Sequence, residues 1–164
     1  LLYTTNLIYQ LRNIKVIAWT TLIFAIFLYV SDRSRFDKKI STNLNFRSIL
    51  FIGLFQILSL IPGVSRAGIT ITAARILKFN RVDSSKISFL LSIPALAGAS
   101  ALSLKDVFEK SIEFSYLAAI AVISSFIFSF LTVKFFLIYI NKFSMNAFVI
   151  YRIVIALILF SLIY

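Results

Sequence analysis

The residues with the clearest capacity for chemistry lie in the stretch 62–70, which reads Pro-Gly-Val-Ser-Arg-Ala-Gly-Ile-Thr. A helix that begins near Ser65 exposes free backbone N–H groups and the positive end of its dipole, and both favour a phosphate. Ser65 is a good N-cap residue, and Arg66 offers a planar fork for two phosphate oxygens. The pattern therefore predicts an anion site.

Three further residues complete this candidate site. Gly63 and Gly68 allow the backbone to come close to a ligand. Thr70 lies four residues after Arg66 and is expected on the same helix face. We expect Gly63, Ser65, Arg66, Gly68 and Thr70 to bind the anion.

The composition indicates a membrane protein. Of the 164 residues, 60% are hydrophobic and only 14% are charged, whereas soluble domains are about half apolar and roughly a quarter charged. A soluble core of this size could not bury so much apolar surface, so lipid must be part of the solvent.

Four apolar stretches could each cross a bilayer, which takes about 20 residues. They are 14–30, 87–104, 116–133 and 147–164. The stretch 48–77 differs because Pro62, Gly63 and Arg66 interrupt it, and each half is too short to cross. It forms either one kinked span or a re-entrant helical hairpin. The predicted fold is all-α, with about four transmembrane helices and this hairpin.

Charge favours the hairpin, because strongly basic segments flank it on both sides and such segments stay on the cytoplasmic side. The flanking residues are Arg33, Arg35, Lys38, Lys39 and Arg47 before it, and Arg75, Lys78, Arg81 and Lys86 after it. The mixed-charge connection 104–114 suits the outer side, as does the C-terminus. Arg12 and Lys15 do not fit this orientation.

Net charge and rare residue types limit the function. The net charge of +11 fits membrane orientation better than nucleic-acid binding, because the basic residues lie mostly between apolar stretches. The chain has no cysteine and no histidine, so thiol chemistry and the commonest general base are absent.

Arg66 gives the strongest functional signal. An arginine at membrane depth costs at least about 2.5 kcal/mol and needs an anionic partner. The acids Asp32, Asp37, Asp83, Asp106, Glu109 and Glu113 all lie in stretches interpreted as polar connections. The partner must then be a substrate or a residue outside this sequence, and a purely structural ion pair remains the alternative.

Other polar residues have structural interpretations. Arg152 lies near the start of the last apolar stretch and is interpreted as an interfacial anchor. Trp19 and Tyr29 are expected at interfaces or in packing. Four serines, Ser84, Ser85, Ser88 and Ser92, are expected to cap or pack helices.

The stretches 53–56 and 60–70 together resemble the second signature of the bacterial undecaprenyl-diphosphatases linked to bacitracin resistance. The stretch 88–94 followed by Gly98 resembles the helix after that signature, and the resemblance extends more weakly over nearly the whole chain. The family usually has serine where this chain has Ala67. Ser65, Arg66 and Thr70 agree with the signature.

The resemblance implies a bacterial inner-membrane enzyme that hydrolyses undecaprenyl diphosphate to undecaprenyl phosphate and phosphate, recycles the cell-wall lipid carrier and confers bacitracin resistance. Its catalytic residues here would be Ser65, Arg66 and Thr70. The family consists of two inverted repeats, and 1–164 would be the second, as the C-terminal part of a single membrane domain. The first repeat, with the nucleophile and base, would be a missing partner, so we expect this chain alone to be inactive.

Further partners are less defined. No cofactor is visible in the residues, although the resemblance allows a divalent cation, Mg²⁺ or Ca²⁺; no metal ligands are assigned, because convergent carboxylates are missing. A homodimer is a further partner to consider. Inverted repeats with broken helices also suit a transporter or flippase of isoprenyl phosphate lipid, and a purely structural membrane subunit is the third alternative.

Overall fold

The computed structural model describes residues 13–33, 36–109 and 116–163, with backbone alone for 105–109. Within these residues the chain is helical, and a 3₁₀ turn, Leu58–Leu60, follows α3. The α-helices are α1 (Ile14–Asp32), α2 (Ile40–Asn43), α3 (Phe46–Ile57), α4 (Arg66–Ile76), α5 (Arg81–Glu109), α6 (Tyr116–Lys142) and α7 (Asn146–Ser161).

Three of these helices are long and apolar enough to cross a membrane, namely α1, α5 and α6. They coincide with three of the four predicted spans, which confirms the prediction of an all-helical membrane protein. Helix α7 has 16 residues, or about 24 Å at 1.5 Å per residue, so it is short for a full crossing. A fourth span therefore stays a prediction. The predicted connection 104–114 is wrong at its start, because α5 continues to Glu109.

The interrupted stretch is a helix–turn–helix hairpin, here called the hairpin, that comprises α3, the turn 58–65 and α4. Its two helices pack together, since buried Ile52 of α3 shares a core with Ala73 and Ala74 of α4. The two ends also meet. The Lys38 N–H donates to the Lys78 carbonyl (3.3 Å), and the Asn80 N–H donates to the Lys38 carbonyl (3.0 Å). The chain therefore turns back instead of continuing as one rod.

One buried carboxylate joins four elements at the base of the hairpin, where its two ends meet. Asp32, the last residue of α1, is 2% exposed. Its Oδ1 lies 2.7 Å from Arg81 Nε and 3.5 Å from Arg75 Nε, and its Oδ2 accepts from the Met145 N–H (3.1 Å). The interpretation of Asp32 as part of a polar connection is therefore wrong. It links α1 to α4 and to the starts of α5 and α7.

The far end of the hairpin, its tip, lies partway along α1. The Thr20 hydroxyl donates to the Pro62 carbonyl (2.6 Å), whereas Asp32 of the same helix holds the base. These two positions of α1 are about 18 Å apart at 1.5 Å per residue. Helix α3, with 12 residues, has the same length of about 18 Å. The hairpin is thus shorter than the roughly 30 Å of hydrocarbon in a bilayer.

Helix α7 runs antiparallel to α1 and packs along it. The start of α7 lies at the base, where the Met145 N–H binds Asp32. Towards the other end, the rings of Trp19 and Phe160 meet edge to face, with centroids 5.1 Å apart. Helices α1, α4, α6 and α7 share one apolar core near the base, formed by Leu28, Ile71, Ile140, Met145 and Val149.

Helix α4 ends in a Schellman motif at the base. The Phe79 N–H donates to the Ala74 carbonyl (3.1 Å) and the Lys78 N–H to the Arg75 carbonyl (2.9 Å), as this motif requires. Phe79 also packs against Ala73 and Ala74. The motif puts Lys78 in the left-handed conformation, with φ 71°, where glycine is the usual residue.

Replacing the central carboxylate should destabilise the fold. Asp32→Asn leaves two guanidinium groups without their counter-charge, and loss of one partner from a buried pair costs about 3–5 kcal/mol. Thermal unfolding of the purified chain in detergent measures this loss. Asp37→Asn is the control, because Asp37 is exposed and should change stability little. Equal melting temperatures for the two variants would contradict a central role for Asp32.

Replacing Lys78 by glycine should stabilise the chain by about 1 kcal/mol, because glycine adopts the left-handed conformation without steric cost. The same unfolding assay measures the gain. Lys78→Ala removes the charged side chain but keeps Cβ, so it should give no gain. If both variants stabilise the chain equally, charge and not backbone conformation is responsible.

Candidate functional site

The tip of the hairpin presents the start of α4. Ser65 is the N-cap residue, and its Oγ accepts from the Gly68 N–H (3.2 Å). This confirms the predicted cap. With its oxygen engaged in this way, the exposed Ser65 hydroxyl still has its own hydrogen to donate.

The first turn of α4 retains unused donors. No described residue accepts a hydrogen bond from the backbone N–H groups of Arg66 and Ala67, whereas the Ile69 N–H already binds the Ser65 carbonyl (3.0 Å). Free N–H groups at a helix start attract anions. The half-buried Arg66 side chain forms no ion pair with the described part of the chain. Within the part of the chain that the structure describes, the tip therefore combines backbone donors that lack acceptors with a guanidinium that lacks a counter-charge.

Position 63 requires glycine because the tip packs closely against α1. Its φ is +92°, a conformation that side chains rarely adopt. A Cβ at this position would collide with the hydroxyl of Thr20 and lie 2.8 Å from the Ile17 carbonyl. Gly63 therefore makes room for helix α1. Whether it also approaches a ligand stays a prediction.

Arg152 of α7 also reaches the tip. Its Nη2 donates to the Gly63 carbonyl (2.8 Å) and to the Thr21 carbonyl (3.4 Å). The interpretation of Arg152 as an interfacial anchor is therefore wrong. Gly68 makes room for this side chain, because a Cβ at Gly68 would lie 3.2 Å from Arg152 Nη1. A second guanidinium thus lies beside the start of α4.

A cavity of about 330 Å³ lies next to this arrangement, between α1, α4, α6 and α7. Gly63, Ser65 and Gly68 line it together with Arg152, whereas Arg66 and Thr70 do not. Most of the remaining wall is apolar, formed by Leu28, Ile71, Phe136, Phe148, Tyr151 and Ile155. Such a cavity suits a molecule with a polar group and an apolar body.

Thr70 has a different environment. It is 1% exposed, and its hydroxyl lies 2.6 Å from Ser88 Oγ of α5 and 2.9 Å from the Arg66 carbonyl. The hydroxyl is thus engaged between two helices. Ser88 fulfils its predicted role in helix packing through this contact.

The acidic side chains that the structure describes lie at the opposite end of the hairpin from the tip. The described carboxylates, Asp32, Asp37 and Asp83, all belong to the base of the hairpin. No group of three potential metal ligands occurs among the described residues. The described side chains at the tip therefore do not form a site for the divalent cation that the resemblance allows.

Sequence reasoning missed three residues of α1 and α7 that contact the tip: Thr20, Thr21 and Arg152. The threonine hydroxyls donate to the carbonyls of Pro62 (2.6 Å) and Gly63 (3.4 Å). Arg152 could have been recognised from the sequence, because a charged residue inside an apolar helix indicates a buried partner. A threonine pair in an apolar helix is too common to identify a site.

Fold and site together define the class of the protein: a helical membrane protein whose broken hairpin presents the start of helix α4 at its tip. The model of the family described as "Bacitracin resistance protein BacA" matches residues 1–158. The chain therefore belongs to this family, which confirms the resemblance found in the sequence.

Three similar proteins carry the same name, undecaprenyl-diphosphatase. The chain is 69% identical to an undecaprenyl-diphosphatase of Pelagibacter ubique over 93% of its own length and 60% of that protein. It is 44% identical to an undecaprenyl-diphosphatase of Elusimicrobium minutum, covering 90% of this chain and 56% of the relative. It is 42% identical to an undecaprenyl-diphosphatase of Alcanivorax borkumensis, and the match covers 88% of this chain and 55% of the relative. The chain thus spans a little over half the length of these relatives.

Substitution of Gly63 should test how the tip is built. Gly63→Ala places a Cβ against Thr20 in an unfavourable conformation, and we expect a loss of at least about 2 kcal/mol in stability. Gly53→Ala is the matched control, because a Cβ at Gly53 meets nothing within 4 Å and alanine should stabilise helix α3 by about 0.5–1 kcal/mol. Thermal unfolding in detergent measures both variants. A neutral Gly63→Ala would contradict the close approach of α1 to the tip.

Proposed function

We propose that the hairpin tip binds the diphosphate group of undecaprenyl diphosphate, and that the whole protein hydrolyses this lipid to undecaprenyl phosphate and phosphate. The observation that carries the proposal is the start of α4, where the Ser65 hydroxyl lies beside N–H groups and an Arg66 guanidinium that have no partner among the described residues. The relatives named undecaprenyl-diphosphatase support it.

Each residue of the tip has a role that its chemistry allows. Arg66 neutralises charge on the phosphate oxygens as the transition state forms. Ser65 and the N–H groups of Arg66 and Ala67 hold the same phosphate. Arg152 holds the Gly63 carbonyl and so fixes the tip. Its buried Nε has no hydrogen bond within the described residues.

Thr70 was predicted to donate a further hydrogen bond to the phosphate. Its hydroxyl is instead engaged with Ser88 and the Arg66 carbonyl. We therefore propose that Thr70 positions α4, and with it Arg66, against helix α5. The mechanism also needs a nucleophile and a base, and we assign both to the part of the relatives that this chain does not cover. A divalent cation would take its ligands from that part as well, and no step here depends on it.

The cavity beside the tip supports a lipid substrate. It joins polar groups of the tip to an apolar wall from α6 and α7. A diphosphate at the start of α4 would leave its isoprenyl chain next to this wall. An apolar chain gains about 0.8 kcal/mol for each buried CH₂ group, so the wall would add affinity for the lipid over free diphosphate.

We propose that the protein lies in the bacterial plasma membrane with the base of the hairpin on the cytoplasmic side. Lys38, Lys39, Lys78 and Arg81 all belong to this base, and basic segments favour that side. Because α7 starts at the base, its C-terminal end would lie on the outer side. The inverted-repeat arrangement and a homodimer stay predictions.

The role of Arg66 in hydrolysis is tested by replacing it within a protein that contains both halves. A chimera in which this chain replaces the matching part of the Pelagibacter ubique relative supplies the uncovered part. In detergent, Arg66→Gln should reduce phosphate release from undecaprenyl diphosphate at least about 100-fold, as expected for loss of a group that stabilises the transition state. Arg47→Gln is the control, because Arg47 is an exposed arginine near the base of the same hairpin and should leave the rate unchanged.

Two outcomes would contradict the proposal. If the Arg66→Gln chimera hydrolyses the lipid normally but no longer translocates it across the membrane of lipid vesicles, the site serves transport. If both activities survive, Arg66 has a structural role. The chain of residues 1–164 should release no phosphate alone, and release by the purified chain would show that the nucleophile lies within it.

A further inference from the structure

A second cavity, here called the base cavity, lies at the opposite end of the hairpin from the proposed diphosphate site. Its volume is about 560 Å³. Its walls come from the segment before α2, the junction of α4 and α5, and the end of α6. The Lys38–Phe79 bridge and the contact of Asp32 with Met145 hold these segments together.

Three cationic side chains, Lys39, Arg75 and Arg81, line the base cavity. Asp32 shares its single negative charge between the two arginines, so the three cationic side chains exceed this carboxylate by two positive charges. Arg81 uses Nε and Nη2 to bind Asp32, and its side chain is 33% exposed. Its Nη1 has no hydrogen bond to the described residues and can donate to a ligand.

Two acids also line the cavity, but one of them is used by the fold. Asp83 Oδ2 accepts from the Ile40 N–H (3.1 Å) and from Asn80 Nδ2 (3.0 Å), and its Oδ1 lies 3.8 Å from Lys86 Nζ. Asp37 is exposed, and the exposed Lys38 follows it directly. Together with Lys38, Lys86 and Asp32, the described side chains at the cavity carry five positive and three negative charges, so their net charge is positive.

The place of the cavity points to a lipid. It lies where α1 ends at Asp32 and α6 ends at Lys142, which is the expected level of the membrane surface. Phe36, Val82 and Ile140 give it an apolar part beside the charged one. Basic pockets between transmembrane helices at this level bind anionic lipid headgroups.

We propose that the base cavity binds the phosphate headgroup of an anionic glycerophospholipid, as a site separate from the hairpin tip. The headgroup phosphate meets Lys39 and Arg81, and the start of the acyl region meets the apolar part. A lipid bound there holds the segment before α2 against the start of α5 and so strengthens the base of the hairpin.

The neighbouring lysines Lys38 and Lys39 provide a matched test. Both are exposed, but only Lys39 lines the cavity. The full chain in detergent is titrated with short-chain phosphatidylglycerol, with phosphatidylcholine of the same acyl length and with inorganic phosphate, and native mass spectrometry counts the bound lipid. Lys39→Gln should weaken phosphatidylglycerol binding about fivefold, the effect of one basic residue at a membrane surface. Lys38→Gln should change it less than about twofold.

The remaining outcomes would overturn the proposal. Equal losses for the two variants, or no loss for either, would mean that diffuse surface charge attracts the lipid. If phosphatidylcholine binds as tightly as phosphatidylglycerol, the negative charge of the headgroup does not determine which lipid binds. Displacement of the lipid by inorganic phosphate at the same concentration would identify a free-anion site and not a lipid site.

Discussion

A broken backbone at membrane depth must find hydrogen-bond partners within the protein, because lipid offers none. This requirement shapes the tip of the hairpin. The Pro62 carbonyl accepts from Thr20, and the Gly63 carbonyl accepts from Thr21 and Arg152. Helices α1 and α7 therefore have to lie against the tip, and the close approach of α1 requires glycine at position 63.

The same arrangement leaves the start of α4 available to a ligand. The carbonyls of Pro62 and Gly63 accept hydrogen bonds from neighbouring helices, whereas no described residue accepts from the N–H groups of Arg66 and Ala67. The tip thus presents donors, while two of its carbonyls are used in packing. An environment of this polarity favours an anion, and it explains how one short turn can be both structurally fixed and chemically available.

Asp32 sets the depth at which this site lies. It fixes the base through Arg75, Arg81 and the Met145 N–H, while Thr20 of the same helix holds the tip. Helix α1 therefore sets the distance between the base and the tip of the hairpin, because its contacts through Asp32 and Thr20 are about 18 Å apart. The cost of burying this carboxylate is offset because two guanidinium groups and a backbone N–H surround it.

Sequence alone predicted the helical membrane class, three of the helices that could cross, the break near Pro62 and the cap at Ser65. All of these follow from local properties, namely hydropathy, helix length and the chemistry of single residues. Arg66 could be selected in the same way, because a charge in an apolar stretch is a local signal.

The contacts between residues that are distant in the chain became apparent only in the folded protein. Arg152 and Gly63 are far apart in the chain, as are Asp32 and Met145, and no local pattern encodes their contact. Two interpretations of charged residues failed, Arg152 as an anchor and Asp32 as a loop acid, and both judged a charge by its sequence neighbours. A buried charge is stabilised by whatever partners surround it in space, and those partners exist only once the helices have packed.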